Sequence, residues 1–297
     1  MGEKTKKFIL VYNPASGAGK FKERLDGVIR AFQSRKAMLF IYRTEKETSE
    51  NLLGFVRECK ADGIIIAGGD GTLHEIINLL LAAGIRLPVG IIGCGTSNDF
   101  ATYLKLNDDP EAYFDAIVTG KRRRIDLGRI GGRYFINVAS AGVMTSIAHE
   151  TDVKLKKSLG KLAYYLKGLE EIPKIKSMSL TVEADGVRYE SEVILFVIIN
   201  SAVVGSMKNV AAAKIDDGKL DFLAIKKSGL TGIIKIMSDL LMGKQVSDKD
   251  DVLYLQAKTF KVESASPDII SDLDGEPGPY LPIAVETVPD ALEIYCP

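Results

Sequence analysis

The stretch Gly63-Ile64-Ile65-Ile66-Ala67-Gly68-Gly69-Asp70-Gly71-Thr72-Leu73-His74-Glu75-Ile76-Ile77-Asn78-Leu79-Leu80 constrains the fold of this chain more than any other. Residues 64–67 are a short apolar run rich in β-branched side chains, which predicts a buried parallel strand. Glycines 68, 69 and 71 surround Asp70, and Leu73, Ile76, Ile77 and Leu80 then recur at helical spacing. The pattern is a strand, a glycine turn and a helix. Glycine permits positive φ and lets another group approach the backbone closely. The unpaired N–H groups and dipole of the following helix favour an anion, and phosphate is the obvious one. Asp70 repels a phosphate directly, so it makes sense with a divalent cation between them. Taken alone, the stretch also reads as a tight turn with an acidic residue in the first helical turn.

Two further turns resemble it in form. Residues 8–12 read as a strand ending in Asn13-Pro14-Ala15-Ser16-Gly17-Ala18-Gly19-Lys20. This loop fails the P-loop template, with Pro14 at the first required glycine and Phe21 after the lysine. Residues 21–32 predict a helix with Leu25, Val28, Ile29 and Phe32 on one face. A second strand, 38–42, closes at Arg43-Thr44, and a second helix covers 51–59. After the central helix, 88–92 predict another strand and a second glycine turn, Gly93-Cys94-Gly95-Thr96-Ser97-Asn98-Asp99-Phe100-Ala101. Asn98 stands where the dinucleotide fingerprint requires its third glycine. Alternating strands and helices imply a doubly wound parallel sheet with all three turns at the carboxyl ends of strands. Three such turns on one edge, with Asp70 and Asp99 among them, point to phosphate binding.

Composition narrows the classes. A formal net charge of zero argues against a protein devoted to nucleic acid, whose domains are strongly basic. Cys59, Cys94 and Cys296 lack metal-ligand spacing and suggest a reducing compartment. His74 and His149 are the only histidines, too few for a histidine-rich metal site. Residues 8–12 are too short an apolar run for a signal-peptide core. The longest apolar run, 193–199, is far short of the ~20 residues that span a bilayer. A cytoplasmic protein is the expectation. No Gly-x-Ser-x-Gly elbow supports serine hydrolysis.

From about residue 126 the pattern changes to short strands between turn signals, at 134–138, 177–183, 193–199, 220–225 and 259–263. Dominant antiparallel strands predict a β-sandwich, so the chain reads as an α/β domain over 1–125 and a sandwich domain over 126–297. The run Lys121-Arg122-Arg123-Arg124 reads as solvated linker. Two amphipathic segments stand out. Residues 154–170 carry Leu155, Leu159, Leu162, Leu166 and Leu169 on one face, with lysines elsewhere. Residues 230–241 show Leu230, Ile233, Ile234, Met237, Leu240 and Leu241 in the same spacing and read as a helix packed on the sandwich.

Together these residues resemble a known family. Gly68-Gly69-Asp70-Gly71-Thr72 is similar to the nucleotide motif shared by diacylglycerol kinases, sphingosine kinases, NAD kinases and, loosely, phosphofructokinases. Gly95-Thr96-Ser97-Asn98-Asp99-Phe100-Ala101 and Asn13-Pro14 with Ser16-Gly17 resemble the lipid-kinase branch. Ile125-Asp126-Leu127-Gly128, Leu159-Gly160 with Ala163-Tyr164, Asp217-Gly218 with Leu220-Asp221, and Asp274-Gly275-Glu276 follow in that branch's order. Thr102 departs from it, since bacterial members often carry an arginine there, and Ala18-Gly19 lengthens the spacing to Lys20.

The resemblance implies a two-domain lipid kinase with its active site in the cleft between domains. It implies ATP and Mg2+ as cofactors, the phosphates over Gly68, Gly69, Asp70, Gly71 and Thr72, and Asn13, Thr44, Gly95, Thr96, Asn98 and Asp99 around the nucleotide. Asp70 would reach the metal, and Asp217 would hold a structural magnesium with backbone carbonyls near Lys214 and Lys219. In Asp272-Leu273-Asp274-Gly275-Glu276 the resemblance supplies Asp274 as catalytic base, with Glu276 orienting metal or substrate and Asp272 as the rival. From the residues alone, both acidic stretches are equally well turns. The expected reaction is transfer of the γ-phosphate of ATP to a hydroxyl of diacylglycerol or a similar lipid alcohol. An NAD kinase and a non-catalytic nucleotide- or lipid-sensing module are the alternatives. Expected partners are a membrane lipid substrate met by reversible peripheral contact and a second copy of the chain in a homodimer, with no nucleic acid. Lys154, Lys156, Lys157 and Lys161 beside Leu155 and Leu159 are the first choice for the membrane contact.

Overall fold

The computed structural model describes residues 5–19, 21–45, 49–142, 177–266 and 268–297. The amphipathic stretch 154–170, with its Leu159-Gly160 and Ala163-Tyr164 pairs, lies outside the described residues, as does Lys20. The chain forms two compact units, Met1–Leu127 with Pro289–Pro297, and Gly128–Val288. The sequence divides the chain once, at 125–126, whereas these units divide it twice. The last residues count with the first unit because Ile294 pairs in parallel with Val89.

In the first unit, β1 (Lys7–Tyr12), α1 (Phe21–Ser34), β2 (Met38–Arg43), α2 (Ser49–Cys59), β3 (Gly63–Gly68), α3 (Asp70–Ala82) and β4 (Val89–Gly93) alternate as expected. The short α4 (Asp99–Tyr103), α5 (Pro110–Thr119) and most of β5 (Arg122–Ile130) follow. The sheet order is β2-β1-β3-β4, all parallel. β3 is buried along its whole length, which is why its sequence is an unbroken apolar run. α1 covers the sheet with Phe21, Val28, Ala31 and Phe32, and the Phe32 ring lies 5.3 Å from that of Phe8. Each buried Phe or Val among them contributes about 1.5–3 kcal/mol by leaving water. Arg122, Arg123 and Arg124 are not linker. They open β5 as exposed residues, and Glu293 pairs with Arg122 at 3.0 Å and Arg124 at 3.3 Å.

The second unit holds β6 (Arg133–Phe135), β7 (Val138–Gly142), β8 (Met178–Ala184), β9 (Val187–Ile199), β10 (Leu220–Lys226), α6 (Leu230–Leu241), β11 (Val252–Ala257), β12 (Thr259–Ser264), β13 (Ile270–Leu273), β14 (Glu276–Tyr280) and most of β15 (Ile283–Tyr295). Every pairing among these strands is antiparallel, in the order β14-β13-β7-β9-β8-β12-β15, with β10 between β9 and β11. Alternate residues of β9 and β10 feed two cores. Phe196, Ile198, Leu220 and Phe222 enter one with Phe260, and the Phe196 and Phe222 rings stack at 5.5 Å. Ile199, Leu223 and Ile225 enter the other, beneath Ile233, Ile236, Met237 and Leu240 of α6, and Ile194 joins them out of step because the β9–β10 register shifts between Ile225 and Lys226. The predicted packing of that helix holds, but Ile234 and Leu241 face outward.

One predicted strand is two. The run 134–138 breaks at Ile136 and Asn137, between β6 and β7. The backbone N–H groups of Ile136, Asn137 and Val138 turn to the Asp274 carboxylate, at 2.7, 2.9 and 2.9 Å, so they cannot all serve a ladder. A hydrogen-bonding partner far along the chain is invisible to local periodicity.

Candidate active site

Because β1, β2, β3 and β4 run in parallel, the residues that follow each strand emerge on the same edge of the first unit's sheet. Asn13 and Thr44 take up that position after β1 and β2. The Asn13 N–H bonds Ala67 O at 3.0 Å, and the Thr44 N–H bonds Tyr12 O at 3.0 Å. Gly68 pairs with Gly93, so the two glycine turns start side by side, and the Cys94 N–H donates to Gly68 O at 2.9 Å.

The turns lock through small atoms. A Cβ on Gly95 would lie 2.6 Å from the Gly69 α-carbon, and one on Gly68 would lie 2.5 Å from Thr72 Cβ. Asn98 adopts φ 52° and ψ 44°, the left-handed region that Asn tolerates better than most residues. Its side chain accepts the Gly95 N–H at 2.7 Å and donates to Gly95 O at 3.0 Å. Its backbone N–H donates to Asp70 Oδ2 at 2.9 Å. Asp70 thus holds the second turn against the first turn of α3. Asn13 Nδ2 donates to Thr72 Oγ1 at 3.0 Å, and the Asn13 side-chain oxygen accepts the Ala15 N–H at 2.9 Å. Asp99 is buried at the start of α4, and Thr96 is exposed at the tip of its turn.

Two residues outside the predicted set belong to this cluster. Ser16 Oγ lies 3.4 Å from Thr72 Oγ1. Arg24 of α1 donates to Gly93 O at 3.1 Å and to Cys94 Sγ at 3.8 Å. Burial pushes the Cys94 thiol up, and Arg24 offsets part of that. Ser16-Gly17 was a readable signal for the first. Nothing local marks Arg24, because its partner lies 69 residues away.

The nucleotide fits this edge. Gly69 caps α3 without a side-chain hydrogen bond, so the first-turn N–H groups meet no side-chain cap. Among the described residues, no three His, Cys, Asp or Glu side chains converge on a metal site. Asp70 is the carboxylate on this edge that would hold a magnesium ion beside phosphate and water.

The acidic positions of the second unit are turns with additional features. Asp274 and Gly275, at φ 54° and 96°, make the two-residue hairpin between β13 and β14, and Leu273 pairs with Glu276. Asp272 is buried, and its Oδ1 accepts the Gly275 N–H at 2.7 Å, whereas Glu276 is exposed. Asp217 lies exposed before β10, accepting the Lys219 N–H at 3.1 Å. Asp221 is fully buried and shares a short hydrogen bond with the Tyr254 hydroxyl, while its Oδ2 has no partner. Burial pushes the Asp221 carboxyl up, with the neighbouring Asp217 adding to it. The Asp221 oxygen without a partner is the feature here that a cation would fit.

Comparison with known proteins agrees with this reading. A family model described as diacylglycerol kinase catalytic domain matches residues 7–130, and one described as YegS C-terminal NAD kinase beta sandwich-like domain matches 137–296. A diacylglycerol kinase of Bacillus subtilis (strain 168) is 34% identical over 278 residues, covering 92% of this chain and 90% of the relative. One of Staphylococcus saprophyticus is 35% identical over 292 residues, covering 97% and 94%. The crystal structure of a diacylglycerol kinase from Bacillus anthracis str. Sterne superposes with a TM-score of 0.82 at 25% identity, covering 100% of this chain and 99% of that one. On the motifs, the fold and these relatives, the chain belongs to the diacylglycerol kinase family.

Proposed function

We propose that this lipid kinase transfers the γ-phosphate of ATP to a hydroxyl of diacylglycerol or a closely similar lipid alcohol, with magnesium as the metal. The observation that carries it is the joining of the two glycine turns through Asp70 and Asn98 on the sheet edge where the first-turn N–H groups of α3 emerge. Gly68, Gly69, Gly71 and Thr72 present backbone to the phosphates, and Asn13, Thr44, Gly95, Thr96 and Asp99 surround the nucleotide. Asp70 would hold magnesium, whose charge would offset that of the transferring phosphoryl group. Asp217, with the carbonyls of Lys214 and Lys219, would hold a second, structural magnesium, a role that the orphaned Asp221 oxygen supports.

Asp274 accepts the proton of the attacking hydroxyl, and Glu276 orients metal or substrate. The backbone bonds to Asp274 close a loop and fix the orientation of its carboxylate. No described helix is long and apolar enough to cross a membrane, and the enzyme meets its substrate by peripheral contact. Labelled ATP should be tested against diacylglycerol, monoacylglycerol and sphingoid alcohols, with the lipid products separated by thin-layer chromatography. Phosphatidic acid as the dominant product supports the reading, and label on no lipid overturns it.

A further inference from the structure

α6 is apolar on two faces, and only one of them is used. Ile233, Ile236, Met237 and Leu240 are buried in the second unit's outer core. Ile234, Leu241 and Met242 are 45, 44 and 59% exposed. Residues seven apart on a helix fall within about 20° of each other, so Ile234 and Leu241 share one stripe, and Met242 extends it at the C-cap. The described residues expose seven large hydrophobics in all, and three of them fall in these nine positions. Exposed apolar side chains scattered singly need no explanation, but a stripe does.

Charge identifies what covers it. The one acidic residue of α6, Asp239, is turned inward and held by Lys244 and Lys249, which keep its carboxyl below the usual carboxylate range. The exposed arc of Thr231, Ile234, Lys235, Ser238 and Leu241 carries no carboxylate. Lys235 beside Ile234, and Lys227 before the helix, are exposed and form no ion pair among the described residues. An apolar stripe flanked by such lysines complements an anionic lipid surface, where methylenes take the apolar atoms and headgroups take the cations. A second copy of the chain, related by a two-fold axis on this stripe, would bring like lysines together.

We infer that the outer face of α6 docks the enzyme on the surface of an anionic bilayer. The inference rests on the reading that the acceptor is a membrane lipid, and it names the surface that reaches it. Ile234, Leu241 and Met242 sink into the headgroup boundary, and Lys227 and Lys235 lie among the headgroups.

The test uses the full chain, phosphatidylglycerol and phosphatidylcholine vesicles, and two acceptors: long-chain diacylglycerol in the vesicles and dispersed short-chain diacylglycerol. The double variant Ile234→Glu, Leu241→Glu should lose about tenfold or more of its binding to phosphatidylglycerol vesicles. Long-chain turnover should fall with it, while short-chain turnover and the melting temperature stay unchanged. Wild-type binding should weaken with salt and be poor on phosphatidylcholine. Unchanged vesicle binding in the double variant overturns the inference. So does a wild-type dimer in analytical ultracentrifugation that the variant converts to monomer while still binding vesicles. No turnover of either diacylglycerol would overturn the proposed acceptor and leave the vesicle result to decide the surface. If the double variant misfolds, Ile234→Trp serves instead, because the chain has no tryptophan of its own. Its emission should shift to the blue on phosphatidylglycerol vesicles, and an unshifted spectrum overturns the inference.

Discussion

The backbones of Gly69 and Gly95 pass so closely that a methyl group on Gly95 would lie 2.6 Å from the Gly69 α-carbon. The contact keeps the two turns in register, and it is possible only without side chains. Gly95→Ala should cost about 1–3 kcal/mol of stability by overpacking. The larger effect should fall on the nucleotide, because spreading the turns would misplace the N–H groups proposed to meet phosphate. Urea unfolding with ATP-binding calorimetry checks this, and native affinity in a folded variant would show that the register does not matter.

Asp70 has a structural partner in Asn98 as well as its proposed metal. Asp70→Ala should therefore lower stability by about 1–3 kcal/mol, since the Asn98 N–H loses a charged acceptor. Asp70→Asn keeps an oxygen for that N–H and removes the charge. It should fold nearly as the native chain does while turnover falls at least ~10²-fold, the scale of a lost electrostatic contact to the transition state. Turnover within a fewfold of native for Asp70→Asn would remove the metal role.

The Asp217 turn makes a separate claim about the second unit. If it holds a cation there, magnesium should raise the melting temperature of the native chain. The stabilisation is about 2.7 kcal/mol at a concentration a hundred times the dissociation constant. Asp217→Ala should abolish the magnesium response. A native melting temperature that ignores magnesium leaves Asp217 as a turn residue only.

Asp274 is bound by three backbone N–H groups, and this sharpens the test of the base. Asn at 274 keeps one oxygen for Asn137 and Val138 but turns an amide N–H2 toward the Ile136 N–H. The variant should lose about 1–3 kcal/mol of stability. It should also lose ~10²–10⁴ in kcat, with ATP affinity unchanged, if the carboxylate is the base. Asp272→Asn is the control, since Asp272 accepts the Gly275 N–H and none of the three N–H groups that hold Asp274. A stability loss without a kcat loss in Asp274→Asn, with Asp272→Asn inactive, moves the base to Asp272.

What the sequence determined is local and periodic. The apolar run 64–67, its three glycines and the helical spacing of Leu73, Ile76, Ile77 and Leu80 place a strand, a turn and a helix with little freedom left. Strand–helix alternation then puts the carboxyl ends of β1, β3 and β4 on one edge, because parallel strands with helical crossovers permit little else. Asn13, Thr44, Gly68 and Gly95 are legible on that edge from the strand ends alone, and the order of the motifs gives the family. The tertiary structure decided what depends on partners distant in the chain. Arg24 reaches Gly93 across 69 residues, and Asp274 divides a predicted strand 138 residues before it. The last residues join the first unit through Ile294 and Val89. Periodicity showed that 230–241 is an apolar helix, but only packing decided that Ile233 goes in and Ile234 stays out. A hydrogen bond or a contact between distant residues is set by three-dimensional closure, and no window of sequence contains both ends of it.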